Sequence, residues 1–474
     1  MLAFRKLIVF ISSFIPVLAY ASDETHGVSL NLFWGIPFVL VLLSIALGPL
    51  LFSRIWHHHF GKIVAFWTIL FLLPYFLVFG LTETVHVVAH AIVEEYVPFI
   101  LLLLALYTVS GGILIWGNLR GTPKTNTIML AIGTALASLM GTTGAAMLLI
   151  RPILRANEHR KHKVHTVIFF IFLVANIGGG LTPLGDPPLF LGFLKGVDFL
   201  WTVKHMMLPV LISSIILLTA FYLLDRHYCR QNDEFLPDEE KHHISHKVPL
   251  KIHGKINFIF LIMIVASVLI SGIWKSDEVI EILGTKIGLV PLMRDTALVF
   301  ITAFSLIFTK KQVRAGNEFN WDPMLEVGKL FLAIFITITP VLTMLKMGER
   351  GNFASLIRLV KNADGSPIDA MYFWMTGSLS GFLDNAPTYL VFFNMAGGHA
   401  QILMNQLSST LLAISMGAVF MGALTYIGNA PNFMVKSIAE QRHVKMPTFF
   451  GYMAWSFGIL IPLFLLQTLI FFVF

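Results

Sequence analysis

Two aspartates, Asp186 and Asp384, stand in stretches otherwise apolar enough for hydrocarbon: "TPLGDPPLFLGF" from Thr182 and "GFLDNAPTYLVFFN" from Gly381. Intramembrane carboxylates are rare because an unpaired charge there is costly, so their presence points to a bound partner. An ionised, poorly solvated aspartate attracts a cation and repels an anionic substrate by several kcal/mol at short range. The same group can carry a proton instead. A site that holds either a sodium ion or a proton, and faces each side in turn, performs antiport. Each aspartate is also a plausible helix N-cap, with proline close behind it. Asn176, Asn385 and Asn429 lie in or beside such stretches. Their amides suit either an ion or broken backbone.

A second cluster lies in "LTETVHVVAHAIVEEYVPF", where Glu83, His86, His90 and Glu94 recur at intervals of three and four. A helix would carry them on one face. The leading reading is an amphipathic outer surface helix whose polar face meets water. A proton-collecting or pH-sensing role comes second, and a metal site third. Asp295, beside Arg294, reads as an interfacial ion pair. The single cysteine, Cys229, excludes a disulfide framework and a cysteine-built metal centre and reads as an inert thiol. No nucleotide loop, paired catalytic motif or mid-span haem-ligand pair supports an enzyme or a respiratory subunit. No cofactor is expected beyond the transported ions.

These side chains need elements to hold them, and composition decides which kind. With 474 residues, 56% hydrophobic, 12% charged and a mean hydropathy of +0.79, the chain has too little polar surface for a soluble globule. The net charge of +7 is scattered among connecting segments without stacking aromatics, which argues for membrane orientation and against nucleic acid. Residues 1–21, "MLAFRKLIVFISSFIPVLAYA", read as a signal peptide, with an uncleaved first hydrophobic segment as the alternative. Ser22 onward then starts outside. The expectation is a multi-pass protein of the bacterial cytoplasmic (inner) membrane with a periplasmic mature amino terminus.

A helical window marks hydrophobic segments at 32–53, 61–80, 97–117, 127–150, 166–196, 206–224, 256–274, 291–309, 324–345, 371–396, 408–435 and 449–473. Both flanks of 127–150 are basic, with Arg120 and Lys124 before it and Arg151, Arg155, Arg160, Lys161 and Lys163 after it. A segment that enters and leaves on one face is a re-entrant hairpin, and "ASLMGTTGAAM" supplies small residues for its turn. The hydrophilic stretch 225–255 reads as a cytoplasmic linker. The second half then runs upside down relative to the first. Its outer loop, 346–369, carries more basic residues than the positive-inside rule favours.

Internal similarity supports that division. "SLMGTTGAAMLL" from Ser138 lies on "SGFLDNAPTYLV" from Ser380 at an offset of 242, and "LTPLGDPPLFL" from Leu181 on "LTYIGNAPNFM" from Leu424 at 243. The first pairing sets Thr142 and Thr143 opposite Asp384 and Asn385. The expected fold is an all-α polytopic membrane protein of two inverted repeats, each with a re-entrant hairpin and an interrupted transmembrane helix. Its divisions are a peripheral first transmembrane helix at 22–60, a first repeat at 61–224, the linker at 225–255 and a second repeat at 256–474.

"ANIGGGLTPLGDPPLFLGFLKGVDF", "GFLDNAPTYLVFFN" and "ALTYIGNAPN" resemble the ion transporter superfamily over roughly residues 60–474. That superfamily includes NhaD-type sodium/proton antiporters, arsenite pumps, citrate transporter-like (CitMHS-like) proteins and divalent-anion symporters. The resemblance implies cation sites at two hairpin tips and two helix breaks, and a homodimer moving substrate by an elevator-like motion. Carried onto this chain, Thr142, Thr143 and Gly144 would form the inner tip, and Asp384, Asn385, Ala386, Pro387 and Thr388 the outer tip. The breaks would run from Thr182 to Pro188 and from Thr425 to Pro431. Carboxylate-transporting members usually carry Ser-Asn-Thr at both tips, which this chain lacks. The expected function is therefore sodium (or lithium)/proton antiport. The alternative is a sodium- or metal-coupled citrate or other carboxylate symporter, which would be favoured if an arginine, Arg151 being the nearest, enters the core.

Overall fold

The computed structural model describes residues 30–117, 119–231, 251–274, 276–282 and 285–473. The signal segment 1–21 and most of the linker lie outside the described residues. The first half contains α1 (Ile36–Leu51), α2 (Ser53–His90), a π-turn (Ala91–Tyr96), α3 (Val97–Ser110), β1 (Leu114–Trp116), α4 (Pro123–Met140), α5 (Thr142–Ala156), α6 (Val164–Leu173), α7 (Pro187–Leu194) and α8 (Phe199–Gln231). The second contains β2 (Lys251–His253), α9 (Ile256–Ile273), β3 (Val279–Ile282), β4 (Thr285–Gly288), α10 (Leu289–Phe308), α11 (Lys311–Gly316) and α12 (Asp322–Lys346). It continues with α13 (Ala354–Leu359), α14 (Asp369–Leu383), α15 (Asn385–Met395), α16 (Ala400–Asn405), α17 (Ser408–Met421), α18 (Ala430–Gln441) and α19 (Phe449–Thr468). Eight helical stretches among the described residues are long and apolar enough to cross a bilayer. The protein is an all-α polytopic membrane protein.

Four hydrophobic segments that look continuous in sequence are each split. The stretch 127–150 becomes α4 and α5 with a turn at Gly141, and 371–396 becomes α14 and α15 with a turn at Asp384. The stretches 166–196 and 408–435 become α6 with α7 and α17 with α18, joined through non-helical backbone. The segments 61–80 and 97–117 are less separate than expected. They follow each other through α2, which kinks at Gly80 (φ 81°, ψ 175°), and the π-turn. Two antiparallel strand pairs, β1 with β2 and β3 with β4, have no counterpart in the sequence reading. At three or four residues they are too short for hydrophobic alternation to betray them.

Side-chain contacts fix which ends meet. The start of α4, the end of α5, the start of α6 and the end of α8 are tied by one buried knot. Asn126 and Asn157 exchange amide hydrogen bonds at 2.8 Å, Asn126 donates to Asp225 at 3.1 Å, and Arg160 and His165 reach Asp225 at 2.6 and 2.8 Å. This end carries the basic segment 151–163 and is called the inner end below. At the other end, Thr410 of α17 donates to Asp369 of α14 at 2.6 Å, and Trp201 of α8 donates to Met404 O at 3.1 Å. So α4 and α6 start at the inner end, whereas α14 and α17 start at the outer end. In the outer loop 346–369 Lys361 pairs with Glu349 at 3.0 Å, which offsets part of the basic excess.

Helices α4–α8 and α14–α19 form a body that contains every broken element, and α1–α3 with α9–α13 form a frame against it. In lipid, helices gain little from the hydrophobic effect between themselves, so close packing must be made by small residues. At the α14–α17 crossing, a Cβ on Gly417 would stand 2.5 Å from Phe373 O and 3.1 Å from Gly377 N. Gly417→Leu is therefore expected to lower the melting temperature in detergent by several degrees, because overpacking costs about 1–3 kcal/mol. Gly458→Leu in α19, where no atom lies within 4 Å of an added Cβ, should melt like the wild type. Equal melting of the two variants would contradict the tight crossing.

Candidate functional site

The two tips and the two breaks converge on Asp186. This residue is 1% exposed and begins α7 in extended conformation (φ −139°, ψ 140°), without capping the helix through its side chain. Its carboxylate is spent elsewhere. Thr142 Oγ1, at the first tip, and Asn429 Nδ2, at the second break, donate to Oδ1 at 3.2 and 3.0 Å. Asn385 Nδ2, at the second tip, donates to Oδ2 at 2.5 Å. The backbone repeats the link, because Thr142 N donates to Gly185 O at 2.8 Å. Among the described residues every hydrogen-bond donor to Asp186 is neutral, and Asn385 Oδ1, also buried, accepts no hydrogen bond.

Behind this crossing Asn176 Nδ2 donates to Ile171 O at 2.8 Å and to Asn432 Oδ1 at 2.7 Å, and Asn176 Oδ1 accepts from Asn429 at 3.3 Å. Asn432 in turn donates to Gly422 O and Thr425 O, at 2.8 and 2.9 Å. A chain of amides thus links the two breaks and satisfies carbonyls that the interruptions leave free. Asn432 is absent from the sequence-derived set. An amide three residues after Asn429, near the end of the apolar run 408–435, was the available signal.

Both halves share one register. Gly141 (φ 79°, ψ 150°) matches Asp384 (φ 97°, ψ 138°), Thr182 (φ −137°, ψ 158°) matches Thr425 (φ −135°, ψ 168°), and Asp186 matches Asn429 (φ −150°, ψ 138°). All three pairs stand 243 apart, so the offset of 242 expected for the tips is corrected by one residue. The counterpart of Asp384 is Gly141, and that of Asn385 is Thr142. Identity in the tip pair is too low for sequence alone to choose between neighbouring registers.

The hydroxyls of Thr182 and Thr425 face backbone. Thr182 donates to Ser138 O and accepts from Leu184 N, and Thr425 donates to Gly381 O and accepts from Ile427 N and Gly428 N. These two brace each break against its own hairpin. Thr388 likewise closes its hydroxyl on Asp384 O at 2.7 Å. Thr143 lines a small cavity of about 80 Å³ with Thr142 and Asp186. A larger cavity of about 400 Å³ reaches from Asp384 and Asn429 to Glu318 and Gln441 at the inner end, with Arg151, Asp322 and Glu326 in its wall.

The surface cluster stays apart from this centre. Glu83 and His86 are exposed on α2 beyond the Gly80 kink, and His90 meets Glu94 at 3.1 Å with both side chains more than a third exposed. The neighbouring Glu95 turns inward instead, is 7% exposed, and pairs with Lys195. Asp295 does pair with Arg294, at 2.7 Å, both buried within the protein, with the guanidinium 5.9 Å from the Phe190 ring centre.

Asp384 occupies a backbone conformation that its counterpart Gly141 adopts without penalty, and a non-glycine residue there costs about 1–3 kcal/mol. Its carboxylate also accepts from Ala386 N at 3.2 Å. Asp384→Ala should lose the cap and keep the strain, whereas Asp384→Gly loses both. The Gly variant is expected to melt above the Ala variant in detergent by the equivalent of about 1 kcal/mol or more. The reverse order would contradict the torsion.

Residues 27–472 match the CitMHS_2 family, described as "Putative citrate transport". Two proteins described as uncharacterized transporters, from Mycobacterium bovis and Mycobacterium tuberculosis, are each 24% identical over 333 residues, covering 68% of this chain and 71% of the relative. With nearly its whole length matched and a polytopic helical fold around a buried polar centre, the chain belongs to the CitMHS_2 family and is a multi-pass membrane transporter.

Proposed function

We propose that the protein is a secondary transporter exchanging cytoplasmic sodium or lithium for protons through Asp186 and Asp384. The observation that carries this reading is the isolation of Asp186. A carboxylate buried among neutral donors retains a desolvation cost of several kcal/mol that amides and hydroxyls do not fully repay. A small cation or a proton relieves it, and the two compete for one place. Asn385 Oδ1, with no donor, is an oxygen ready to join Asp186 around a cation. Hard cations of this kind favour such oxygen ligands.

The route to the centre has the right sign. The 400 Å³ cavity carries Asp322, Glu326 and Asp384 in its wall, an acidic lining that raises the local concentration of cations. The halves run in opposite directions and share three torsional landmarks, which supports the inverted-repeat reading and alternating access around a fixed centre. On this proposal the inner end is cytoplasmic in a bacterial inner membrane, the mature amino terminus is periplasmic, and the transporter works as a homodimer.

A second reading, cation-coupled carboxylate symport, is favoured by one specific observation. Arg151 enters the core, with its side chain 8% exposed and its Nη1 buried without an acceptor, and lines the same cavity as Asp384. A planar guanidinium suits a carboxylate. The family description points the same way.

In everted membrane vesicles, Asp186→Asn and Asp384→Asn should each abolish sodium-dependent dissipation of a pH gradient, with the protein still inserted. Undiminished exchange in both variants would sink the assignment of the site. Uptake of labelled citrate that scales with sodium and falls at least tenfold in Arg151→Gln would decide for the second reading, since one lost charge-assisted contact is worth about 1.5–3 kcal/mol.

A further inference from the structure

Three salt bridges cross between frame and body among the described ion pairs, and they sit at the two ends of the molecule. At the outer end Glu95, in the π-turn that leads into α3, pairs with Lys195. Lys195 is the C-cap of α7, the half-helix that starts at Asp186. At the inner end Glu318, in the connection that leads into α12, takes Arg442 Nη2 at 3.2 Å and Arg151 through Nε and Nη2 at 3.2 and 3.1 Å. Arg442 is the C-cap of α18, the half-helix that starts at Asn429. Each acid therefore belongs to the frame just ahead of a long helix. Each capping base belongs to the body, at the carbonyl end of a half-helix whose dipole favours a cation there.

The pattern is more than surface decoration. Glu95 is 7% exposed, so separating it from Lys195 strands a buried carboxylate. Glu318 holds φ at 50°, a left-handed conformation that glutamate seldom adopts without being held there. The other ion pairs do not bridge the two groups: Arg160 and His165 with Asp225 join body to body, and Arg294 with Asp295 joins neighbours on one helix.

An ion pair near 3 Å is lost to water once its partners part by about 1 Å more. Lys195 and Arg442 are carried on the same body, on opposite sides of the site. A sliding of that body along the membrane normal by several ångströms pulls both bases from their acids, whereas a rocking about the site parts the outer pair as the outer end opens. We propose that Glu95 and Glu318 are positioning residues of the transport cycle. Paired as seen, they hold the body in the state whose cavity opens at the inner end, and both pairs separate when Asp384 faces the outer end. This rests on the reading that Asp384 is served from the two ends alternately.

The outer pair gives the clean test, because it lies far from the inner cavity whose access it is expected to control. Ser437 lines that cavity. With Ser437→Cys in a Cys229→Ser background, a membrane-impermeant maleimide applied to everted vesicles reads how often the inner mouth is open. Lys195→Met and Glu95→Gln are each expected to slow labelling about fivefold or more, the range of a modest coupling between distant sites. The charge-swapped pair Glu95→Lys with Lys195→Glu should restore it. Unchanged or faster labelling in Lys195→Met, which removes only the more exposed partner, would overturn the proposal even if Glu95→Gln does not insert. Slowed labelling that the swap fails to rescue would overturn it too, since a merely structural defect predicts that result. The site assignment fails separately: retained sodium exchange in both Asp186→Asn and Asp384→Asn, alongside slowed labelling in Lys195→Met, refutes the site and leaves the positioning pairs standing.

Discussion

A carboxylate held among neutral donors organises this molecule. Asp186 takes its hydrogen bonds from Thr142, Asn385 and Asn429, which belong to three elements far apart in sequence, and none of them brings a positive charge. Meeting that requirement forces the rest. Two hairpins must end in mid-body so that their tips can reach it, and two helices must open so that an aspartate and an asparagine can face each other. The carbonyls freed by the opening then need donors of their own, which Asn176 and Asn432 provide, while Thr182 and Thr425 tie each break to a carbonyl of its hairpin. The polar centre and the broken helices are one solution to one problem.

Much of this was legible in the chain. Glycine and proline inside an apolar run marked both breaks, with an acid in the first, and the basic flanks of 127–150 marked the first hairpin. Asp186, Asn385, Asn429, Thr142 and Asn176 do come together at one place. What sequence could not give is which atoms face which. Thr182 and Thr388 look like ligands by type, yet each hydroxyl is closer to a carbonyl of its own neighbourhood than to the centre. The one-residue error at the tips has the same origin, since a turn built on a positive φ reads as glycine in one half and aspartate in the other. Glu318 was hidden because a surface-like acid in a connection carries no period, and Glu95 stood out beside the surface cluster without any mark of its partner. Only the fold sets Lys195 and Arg442 beside them.

The asymmetry between the halves is chemical and leaves the backbone intact. At the breaks, Asp186 answers Asn429; at the tips, Gly141 answers Asp384. In each pair the torsions agree closely while one member brings a charge and the other does not. The backbone path is thus the same in both halves, although the positive φ at the tips favours Gly141 over Asp384. A change of charge at the site therefore leaves the backbone path around it unchanged. Arg151, buried in the wall beside Asp384, is a further charge that such a frame can accommodate.

The braces at the breaks have a consequence for how the chain came to be. Thr182 reaches back to Ser138 and Thr425 to Gly381, in each case over 44 residues. The connections spanned by those braces share almost nothing in composition: one holds "RANEHRKHKVH", the other "GGHAQILMNQL". On the reading proposed above, equal length with unequal sequence is what a single ancestral segment leaves behind after it has been copied once and its copies have drifted. On that reading drift was free to rewrite the composition of this loop as the two copies took up opposite faces of the membrane. It was not free to lengthen the path between a hairpin and the break it braces, so on this reading a duplication is recorded in a distance across these connections as well as in the letters of the two breaks.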